Sequence, residues 1–223
     1  MKVKPHPKFD GIFLIDKKLA TINLTPGHKV YGEELIKIDD VEYRIWDHWR
    51  SKPAAAIMKG LKTFPLKSGT TVLYLGIASG TTSSHFSDIV GKEGIIYGTE
   101  ISERVLRELV SHAEKRQNII PILGDARKPE EYQNTVIEKV DFVYEDIADP
   151  DQIKILIRNC EKFLKRNGFA AVAIKSQSID VTKPPKEVYE ECLKESKKHF
   201  DILDKVELDP FEKFHLFVVL KMK

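Results

Sequence analysis

Three acidic residues stand at the ends of successive apolar segments in the middle of the chain. They are Glu100 in "IIYGTE", Asp125 in "ILGDAR" and Asp146 in "YEDIADP". A carboxylate can accept hydrogen bonds from ribose hydroxyls or from an adenine amino group, and it attracts a sulfonium cation. The set is therefore typical of a site for S-adenosylmethionine, although a single carboxylate at such a position is more often a helix cap or a solvated turn residue.

The segment "VLYLGIASGTT" runs from an apolar strand into small residues, with Gly76, Ala78 and Gly80 at spacings of two. Such a turn lets the backbone approach a ligand at the carboxyl edge of a sheet, although packing alone can also require it. The spacing differs from G-x-G-x-x-G, and the sequence has no G-x-x-x-x-G-K-[ST]. No basic residue in the turn could meet a pyrophosphate. The turn therefore favours S-adenosylmethionine over a nucleoside triphosphate or NAD.

The elements that must position these residues follow a strand–helix alternation that begins near Thr70. Repeated units of this kind predict a parallel sheet with helices on both faces. The last two apolar segments, "DILDKVEL" and "KFHLFVVLKM", are joined only by "DPFE", which is too short for a parallel crossover. We therefore expect an α/β S-adenosylmethionine-dependent methyltransferase fold, with a mostly parallel seven-stranded sheet that ends in an antiparallel hairpin.

The pattern of residues 1–52 is instead typical of short strands and turns and predicts a small N-terminal β-rich domain. Residues 53–223 are then the predicted methyltransferase domain. Ser51 and Ser102 stand where they could cap helices, and Gly168 stands where it could close one. His85 lies in the first turns of a predicted helix, where packing or surface exposure is the expected role.

Composition excludes several classes of protein. The formal net charge is only +2, whereas a protein that grips long nucleic acid alone is usually more basic. No apolar run approaches the length of a membrane span, and "MKVKPHPKFD" does not resemble a signal peptide. Cys160 and Cys192 fit neither a metal site nor a disulfide framework. We expect a cytoplasmic protein with no membrane partner and no bound metal.

Five segments of the chain closely resemble fibrillarin, the methyltransferase of box C/D guide-RNA particles. They are "VLYLGIASGTTSSHFSDIVG", "TPGHKVYGEE", "WRSKPAAAI", "EDIADPDQ" and "IKSQSIDVTKPPKEVY". The chain lacks a Gly/Arg-rich amino-terminal extension and so resembles the archaeal form. It departs from the family pattern at Ile77, where G-A-A-S-G-T-T has alanine, and at Asp149, where the family usually has glutamine.

The resemblance implies specific site residues. Beside the turn residues Gly76, Ala78 and Gly80, the implied cofactor contacts are Thr81, Thr82, Glu100, Ile101, Asp125, Ala126, Asp146, Ile147, Ala148 and Asp149. Relatives that methylate ribose 2′-hydroxyls often use a Lys-Asp-Lys set and a fourth polar residue. The matching positions are Lys52, Asp146, Lys175 and His215, and Lys175 is the first choice for the base.

The implied activity is RNA-guided ribose 2′-O-methylation of rRNA and tRNA. The implied partners are a Nop-family scaffold protein, a kink-turn-binding protein, the box C/D guide RNA and the target RNA. Three alternatives remain open from the residues alone. They are a stand-alone methyltransferase for a small molecule or protein, a non-catalytic module that keeps the cofactor pocket as scaffold, and an NAD-dependent enzyme.

Overall fold

The computed structural model describes residues 2–223. The amino-terminal part of this range forms an antiparallel sheet with the strand order β1-β2-β3-β5-β4. Its strands are β1 (Val3–Pro5), β2 (Ile12–Ile15), β3 (Lys18–Ile22), β4 (Leu35–Ile38) and β5 (Val41–Ile45). The predicted β-rich unit is therefore present, and the predicted boundary at 52/53 falls between the first two residues of the helix that follows it.

A second, seven-stranded sheet contains the remaining strands in the order β11-β12-β10-β9-β6-β7-β8. They are β6 (Thr71–Leu75), β7 (Ile95–Glu100), β8 (Ile119–Leu123), β9 (Val140–Glu145), β10 (Leu164–Lys175), β11 (Phe200–Glu207) and β12 (His215–Met222). The pairs from β10 to β8 are parallel, whereas β12 pairs antiparallel with both β10 and β11. The predicted parallel sheet with a terminal antiparallel hairpin is confirmed.

Helices cover both faces of this sheet. They are α1 (Lys52–Met58), α2 (Thr81–Val90), α3 (Glu103–Arg116), α4 (Gln152–Phe163), α5 (Ser176–Ile179) and α6 (Pro185–Ser196). The side chains of β6 are therefore buried on both faces of the sheet. Val72 and Tyr74 belong to one buried apolar cluster, and Leu73 and Leu75 belong to another. A strand that is apolar at every position is thus buried on both faces.

Two of the three predicted helix ends need correction. The Ser102 hydroxyl accepts a hydrogen bond from the Val105 N–H and caps α3 as expected. Ser51 occupies the N-cap position of α1, but its hydroxyl makes no capping bond and instead accepts from Thr82 Oγ1 at 2.9 Å. Gly168 does not close α4, which ends at Phe163. Gly168 lies within β10, where a Cβ atom would come within 2.7 Å of Leu164 Cδ1.

Buried charges join the two sheets. Arg44 on β5 contacts Glu33 at 2.5 Å and Asp88 on α2 at 2.7 Å. Asp88 also pairs with Arg116 of α3 at 2.6 Å, and the side chains of both arginines and of Asp88 are fully buried. Because both arginines share one carboxylate inside the protein, the amino-terminal sheet is fixed to α2 and α3.

His85 strengthens the same junction. Its ring stacks on Trp46, with 5.2 Å between the ring centroids, and it hydrogen-bonds through Nδ1 to Thr21 Oγ1 (2.8 Å) and through Nε2 to the Tyr31 hydroxyl (2.7 Å). The Thr21 hydroxyl donates to Asp88, so Nδ1 of His85 must be the donor to Thr21. Burial holds the pKa of His85 well below its usual value. Of the two roles expected for His85, packing and surface exposure, the structure shows packing, since the ring is fully buried.

Candidate active site

A cavity of about 440 Å³ opens at the carboxyl ends of the parallel strands. It lies where the strand order reverses. From β6 the chain adds β7 and β8 on one side of the sheet, and it then returns to place β9 on the other side of β6. Open α/β sheets bind ligands at such a switch point. The cavity is lined by Gly76, Ala78, Thr99, Glu100, Ile101, Gly124, Asp125, Ala126, Arg127, Asp146, Ile147, Ala148, Asp149 and Lys175.

The turn after β6 forms one wall of this cavity. The N–H groups of Gly76 and Ile77 both donate to the Thr99 carbonyl at 3.0 Å. Gly76 has φ +77°, and a Cβ atom there would come within 2.9 Å of Ile147 Cγ2. Only glycine therefore lets the turn after β6 approach the loop after β9 so closely.

Glu100 is held in place by that turn and by the start of α3. Its Oε2 accepts from the Ala78 N–H at 3.2 Å, and its Oε1 accepts from the Ser102 N–H at 2.9 Å. Ala78 has φ +53°, a left-handed conformation that costs a non-glycine residue free energy. The Glu100 carboxylate is thereby fixed at the cavity wall.

Asp125 faces the cavity from the loop after β8. It accepts from the Arg127 Nε at 3.0 Å and from the Arg127 N–H at 2.9 Å. These hydrogen bonds lower the pKa of Asp125 below its usual value. The same guanidinium lies 3.9 Å from Asp149 Oδ2 in the loop after β9. One arginine therefore sits between two of the carboxylates on the cavity wall.

Asp146 lies between two lysines at the cavity mouth. The Lys52 Nζ is 3.1 Å from Asp146 Oδ2, and the Lys175 Nζ is 2.8 Å from Oδ1. Lys175 also donates to the Asp146 main-chain carbonyl at 2.8 Å. All three side chains are less than one-fifth exposed. The structure thus brings together three of the four residues predicted to be catalytic.

His215, the fourth, stands beside this group as the register partner of Lys175 between β10 and β12. Its Nδ1 donates to the Lys213 carbonyl at 2.7 Å, which leaves Nε2 as an acceptor when the ring is neutral. Burial lowers the pKa of His215, and the positive charges of Lys52 and Lys175 act in the same direction. A neutral His215 can therefore accept a hydrogen bond from a ligand hydroxyl.

Three of the predicted cofactor residues do not line the cavity. Gly80, with φ +107°, stands at the N-cap of α2 and Thr81 begins that helix. Thr82 is buried and donates to Ser51. Their contacts with a cofactor remain a prediction, whereas the other predicted cofactor residues all line the cavity.

Sequence reasoning missed two charged residues of this region. Arg127 lines the cavity, and its position two residues after Asp125 was the available signal. Glu145 precedes Asp146 and is fully buried, and neither carboxyl oxygen has a hydrogen-bond partner within residues 2–223. Burial raises the pKa of Glu145 well above its usual value.

Residues 2–223 offer neither a metal-ligand cluster nor a membrane-spanning helix. This range contains no group of three or more His, Cys, Asp or Glu residues placed to hold a metal ion. None of its helices has the length and hydropathy of a membrane span. Cys160 and Cys192 are free and buried, and burial raises the thiol pKa of Cys192 to about 11.

Comparisons with known proteins agree with this geometry. The fibrillarin family model matches residues 3–223. The fibrillarin-like rRNA/tRNA 2′-O-methyltransferase of Pyrococcus furiosus is 56% identical over 227 residues, which cover 99% of each chain. Aeropyrum pernix fibrillarin, solved with natively bound S-adenosyl-L-methionine, superposes with a TM-score of 0.92 at 45% identity and covers 99% of this chain and 98% of that one.

A solved fibrillarin/Nop5p complex contains a chain that superposes with a TM-score of 0.88 at 42% identity, over 96% of this chain and 98% of that chain. The match of the family model to nearly every residue and the identity over the full length lead to one conclusion. This chain belongs to the fibrillarin family.

Proposed function

We propose that this chain is the catalytic subunit of a box C/D ribonucleoprotein that methylates ribose 2′-hydroxyls of rRNA and tRNA with S-adenosylmethionine. The observation that carries the proposal is the Lys52–Asp146–Lys175 group at the mouth of the cavity. The family membership and the names of the relatives support the same activity.

The cavity residues fit S-adenosylmethionine. A volume of about 440 Å³ lies in the range of small-molecule and cofactor sites. Glu100 can accept hydrogen bonds from the ribose, and Asp125 can accept one from the adenine amino group. Asp146 also lines the cavity, so its carboxylate places a negative charge near the positive charge of the sulfonium. The cofactor, when bound, supplies an electrophilic methyl group on sulfur.

The residues of the chain align the hydroxyl and remove its proton. Lys175 can take that proton on Nζ once it has released its own proton to solvent, and Asp146 fixes Lys175 through the contacts already described. Gln152 holds the adjacent backbone, since its Oε1 accepts from the Lys175 N–H at 3.2 Å and its Nε2 donates to Ala173 at 2.9 Å. A positioned base contributes roughly 10²–10⁴-fold, and alignment contributes an effective concentration on the order of 10⁵–10⁸ M.

Lys52 and His215 position the target ribose. Lys52 is fixed by Asp146 and can orient the hydroxyl or a neighbouring phosphate. His215 offers Nε2 to a sugar hydroxyl, because its Nδ1 is already committed to Lys213. The 2′-hydroxyl is the group that distinguishes RNA from DNA, so these contacts select RNA.

Choice of the target nucleotide is delegated to base pairing between the guide and target RNAs. A Nop-family scaffold protein docks this subunit, as the fibrillarin/Nop5p complex suggests by analogy, and a kink-turn-binding protein completes the particle. A net charge of only +2 suits a subunit that shares RNA binding with partners. The free cysteines suit a cytoplasmic location.

Reconstitution tests the proposal. The chain is mixed with guide RNA, scaffold protein, kink-turn-binding protein and target RNA, and the methyl donor is labelled. We expect label at one guided ribose, and no label when that nucleotide is a 2′-deoxynucleotide. Methylation of a protein or small molecule by the bare chain, with no label on the guided ribose, would favour a stand-alone methyltransferase instead.

A further inference from the structure

Lys52 reaches the cavity mouth from the first position of a short helix. The helix α1 spans only Lys52–Met58, and three of its buried residues are the alanines Ala54, Ala55 and Ala56. Apolar packing of such small side chains is non-directional, whereas a hydrogen bond requires a narrow range of distance and angle. The position of Lys52 therefore depends on the hydrogen bonds made at the start of α1.

Ser51, which precedes Lys52, makes an unusual hydrogen bond for its place in the helix. It stands at the N-cap of α1, and its carbonyl accepts from the Ala55 N–H at 2.9 Å. A serine at an N-cap usually also accepts through its side chain from an N–H of the first helical turn. The Ser51 hydroxyl makes no such bond and accepts instead from Thr82 Oγ1 at 2.9 Å. The side chain at the start of α1 is therefore fixed to α2 and not to its own helix.

Both hydroxyls of this hydrogen bond are shielded from water. Ser51 is 2% exposed and Thr82 is 7% exposed, so solvent does not readily replace a lost partner. Thr82 is the second residue of α2, and that helix directly follows the turn that places Gly76 and Ala78 on the cavity wall. The bond therefore joins the helix of Lys52 to the end of the cofactor turn.

Lys52 is held at two points. Its Nζ lies 3.1 Å from Asp146 Oδ2 in the loop after β9, and its main chain continues from Ser51, which is bonded to α2. A lysine side chain is flexible, so the pair with Asp146 does not by itself define where the backbone of Lys52 lies. The bond between Ser51 and Thr82 supplies that second constraint.

We propose that Ser51 is a positioning residue for methyl transfer, which places Lys52 at the cavity mouth through its hydrogen bond with Thr82. The inference rests on the proposed function and adds a residue to it. A displacement of about 1 Å at a reacting centre can lower a rate by about 10²-fold. Loss of the bond therefore slows the chemical step, although Ser51 does not itself line the cavity.

The resemblance to fibrillarin implies a different use of Thr82, namely a direct contact with the cofactor. In this structure the Thr82 hydroxyl donates to Ser51, and Thr82 does not line the cavity. The two uses predict different results for Thr82→Val, which removes the hydroxyl and keeps the shape of the side chain. A cofactor contact would weaken the binding of S-adenosylmethionine, whereas positioning lowers the transfer rate even when the donor is saturating.

The test measures single-turnover methyl transfer by the assembled particle at saturating target RNA and S-adenosylmethionine. We expect Ser51→Ala and Thr82→Val each to lower the rate by about five- to fiftyfold, while the Kd for S-adenosylmethionine changes by less than about twofold. Thr82→Ser, which keeps the hydroxyl, should recover most of the rate that Thr82→Val loses.

Ser196→Ala is the matched control. Ser196 is 1% exposed, and its hydroxyl donates to the Cys192 carbonyl at 2.8 Å within α6. The change therefore removes a buried hydroxyl away from the cavity. We expect it to lower the thermal unfolding midpoint as Ser51→Ala does, and to leave the transfer rate unchanged.

A second substitution tests whether Ser51 acts through Lys52. Lys52→Met removes the group that Ser51 positions, so adding Ser51→Ala should lower the remaining rate by less than about twofold, as expected for residues that act as one unit. A full Ser51→Ala effect on top of Lys52→Met would show that Ser51 acts elsewhere, and would overturn the proposal.

Chemical labelling reports the position of Lys52 without any transfer to RNA. The Lys52 side chain is 17% exposed and paired with Asp146, so its reductive methylation by formaldehyde and a borane should be slow in the wild-type chain. We expect Ser51→Ala and Thr82→Val to raise its labelling rate by about three- to tenfold, because the start of α1 opens locally. Lys165, which is 47% exposed, should be labelled equally in every variant, as mass spectrometry of peptides measures.

A normal transfer rate in both Ser51→Ala and Thr82→Val would overturn the proposal. Weaker binding of S-adenosylmethionine in Thr82→Val, with a normal rate in Ser51→Ala, would also do so, because Thr82 would then be a cofactor contact. A wild-type particle that transfers no methyl group contradicts the proposed function, and faster labelling of Lys52 in the two variants would still support its placement by Ser51.

Discussion

The Lys175 Nζ lies 2.8 Å from Asp146 Oδ1, in an ion pair whose two side chains are both less than one-fifth exposed. Lys175 also donates to the Asp146 main-chain carbonyl at 2.8 Å, while Lys52 donates to Oδ2. Asp146 thereby holds both lysines, one at each carboxylate oxygen. The lysines keep further N–H groups that can face a ligand.

Lys175→Met should abolish most methyl transfer. We expect a fall of roughly 10²–10⁴-fold in the single-turnover rate, the contribution of a positioned base, with little change in the affinity for S-adenosylmethionine. Lys165→Met is the matched control, because Lys165 is on the same strand at its other end and pairs with Asp141 at 2.7 Å. A Lys175→Met particle that reacts at the Lys165→Met rate would remove Lys175 from the mechanism.

The opposite charges of Arg127 and Asp149 should set how much more tightly the cavity binds S-adenosylmethionine than its demethylated product, S-adenosylhomocysteine. The donor carries a sulfonium charge that S-adenosylhomocysteine lacks, so the ratio of the two Kd values reports the electrostatic potential of the cavity. Arg127→Gln should raise the preference for the donor by about three- to tenfold, and Asp149→Asn should lower it by a similar factor. Isothermal titration calorimetry measures both affinities.

Two further variants check this assignment. Arg127→Gln combined with Asp149→Asn leaves the net charge unchanged and should return the ratio close to the wild-type value. Arg127→Lys keeps the charge and should keep the ratio. Equal losses for donor and product in Arg127→Gln would instead mean that Arg127 contacts a part common to both ligands.

Asp88→Asn should be strongly destabilising. The change leaves Arg44 and Arg116 buried without their shared carboxylate, and loss of one partner of a buried ion pair typically costs about 3–5 kcal/mol. Denaturant unfolding measures the free energy. Glu34→Gln, which breaks the exposed pair with Lys18, should leave the midpoint unchanged. An Asp88→Asn midpoint equal to that of Glu34→Gln would contradict the role given to the buried pairs.

The stability of the fold should fall as the pH drops below about 6.5, the usual pKa of histidine. Burial depresses the pKa of His85 in the folded state, so the unfolded chain binds a proton more readily than the folded one. The contribution is present above the unfolded pKa and is lost as the pH falls towards the folded pKa, with a slope of at most about 1.4 kcal/mol per pH unit.

The measurement is the free energy of unfolding of wild type and His85→Gln between pH 5 and 8, a range set by histidine titration at about 6.5. Glutamine does not titrate, so the difference between the two curves isolates His85 from the other histidines. We expect that difference to shrink as the pH falls, and a constant difference would show that His85 has the same pKa in the folded and the unfolded chain, as an exposed ring would.

Local sequence signals were sufficient to predict the strands and the topology of the seven-stranded sheet. Continuous apolar runs such as Thr71–Leu75 marked the buried strands, and the short link between β11 and β12 left only an antiparallel pair. The positions of Glu100, Asp125 and Asp146 followed from the strand ends, because parallel strands bring their carboxyl ends to one edge.

Contacts between residues that are far apart in the sequence could not be predicted from such local signals. Lys52 and Asp146 are 94 residues apart, and their pairing was expected only from the resemblance to fibrillarin. Arg44 and Asp88 are 44 residues apart and carried no signal. The Ser51 hydroxyl illustrates the same limit, since a good capping residue was drawn away by the Thr82 side chain of another helix.

The charges buried between β5, α2 and α3 also constrain how the protein can change over generations. Consider a chimera that joins the first 50 residues of this chain to the remainder of a homologue. Arg44 would lose its ion-pair partner unless the homologue has an acidic residue at the position of Asp88. We therefore expect the two parts to be exchangeable only together, and a substitution at Arg44 or Asp88 to need a compensating change at the other residue.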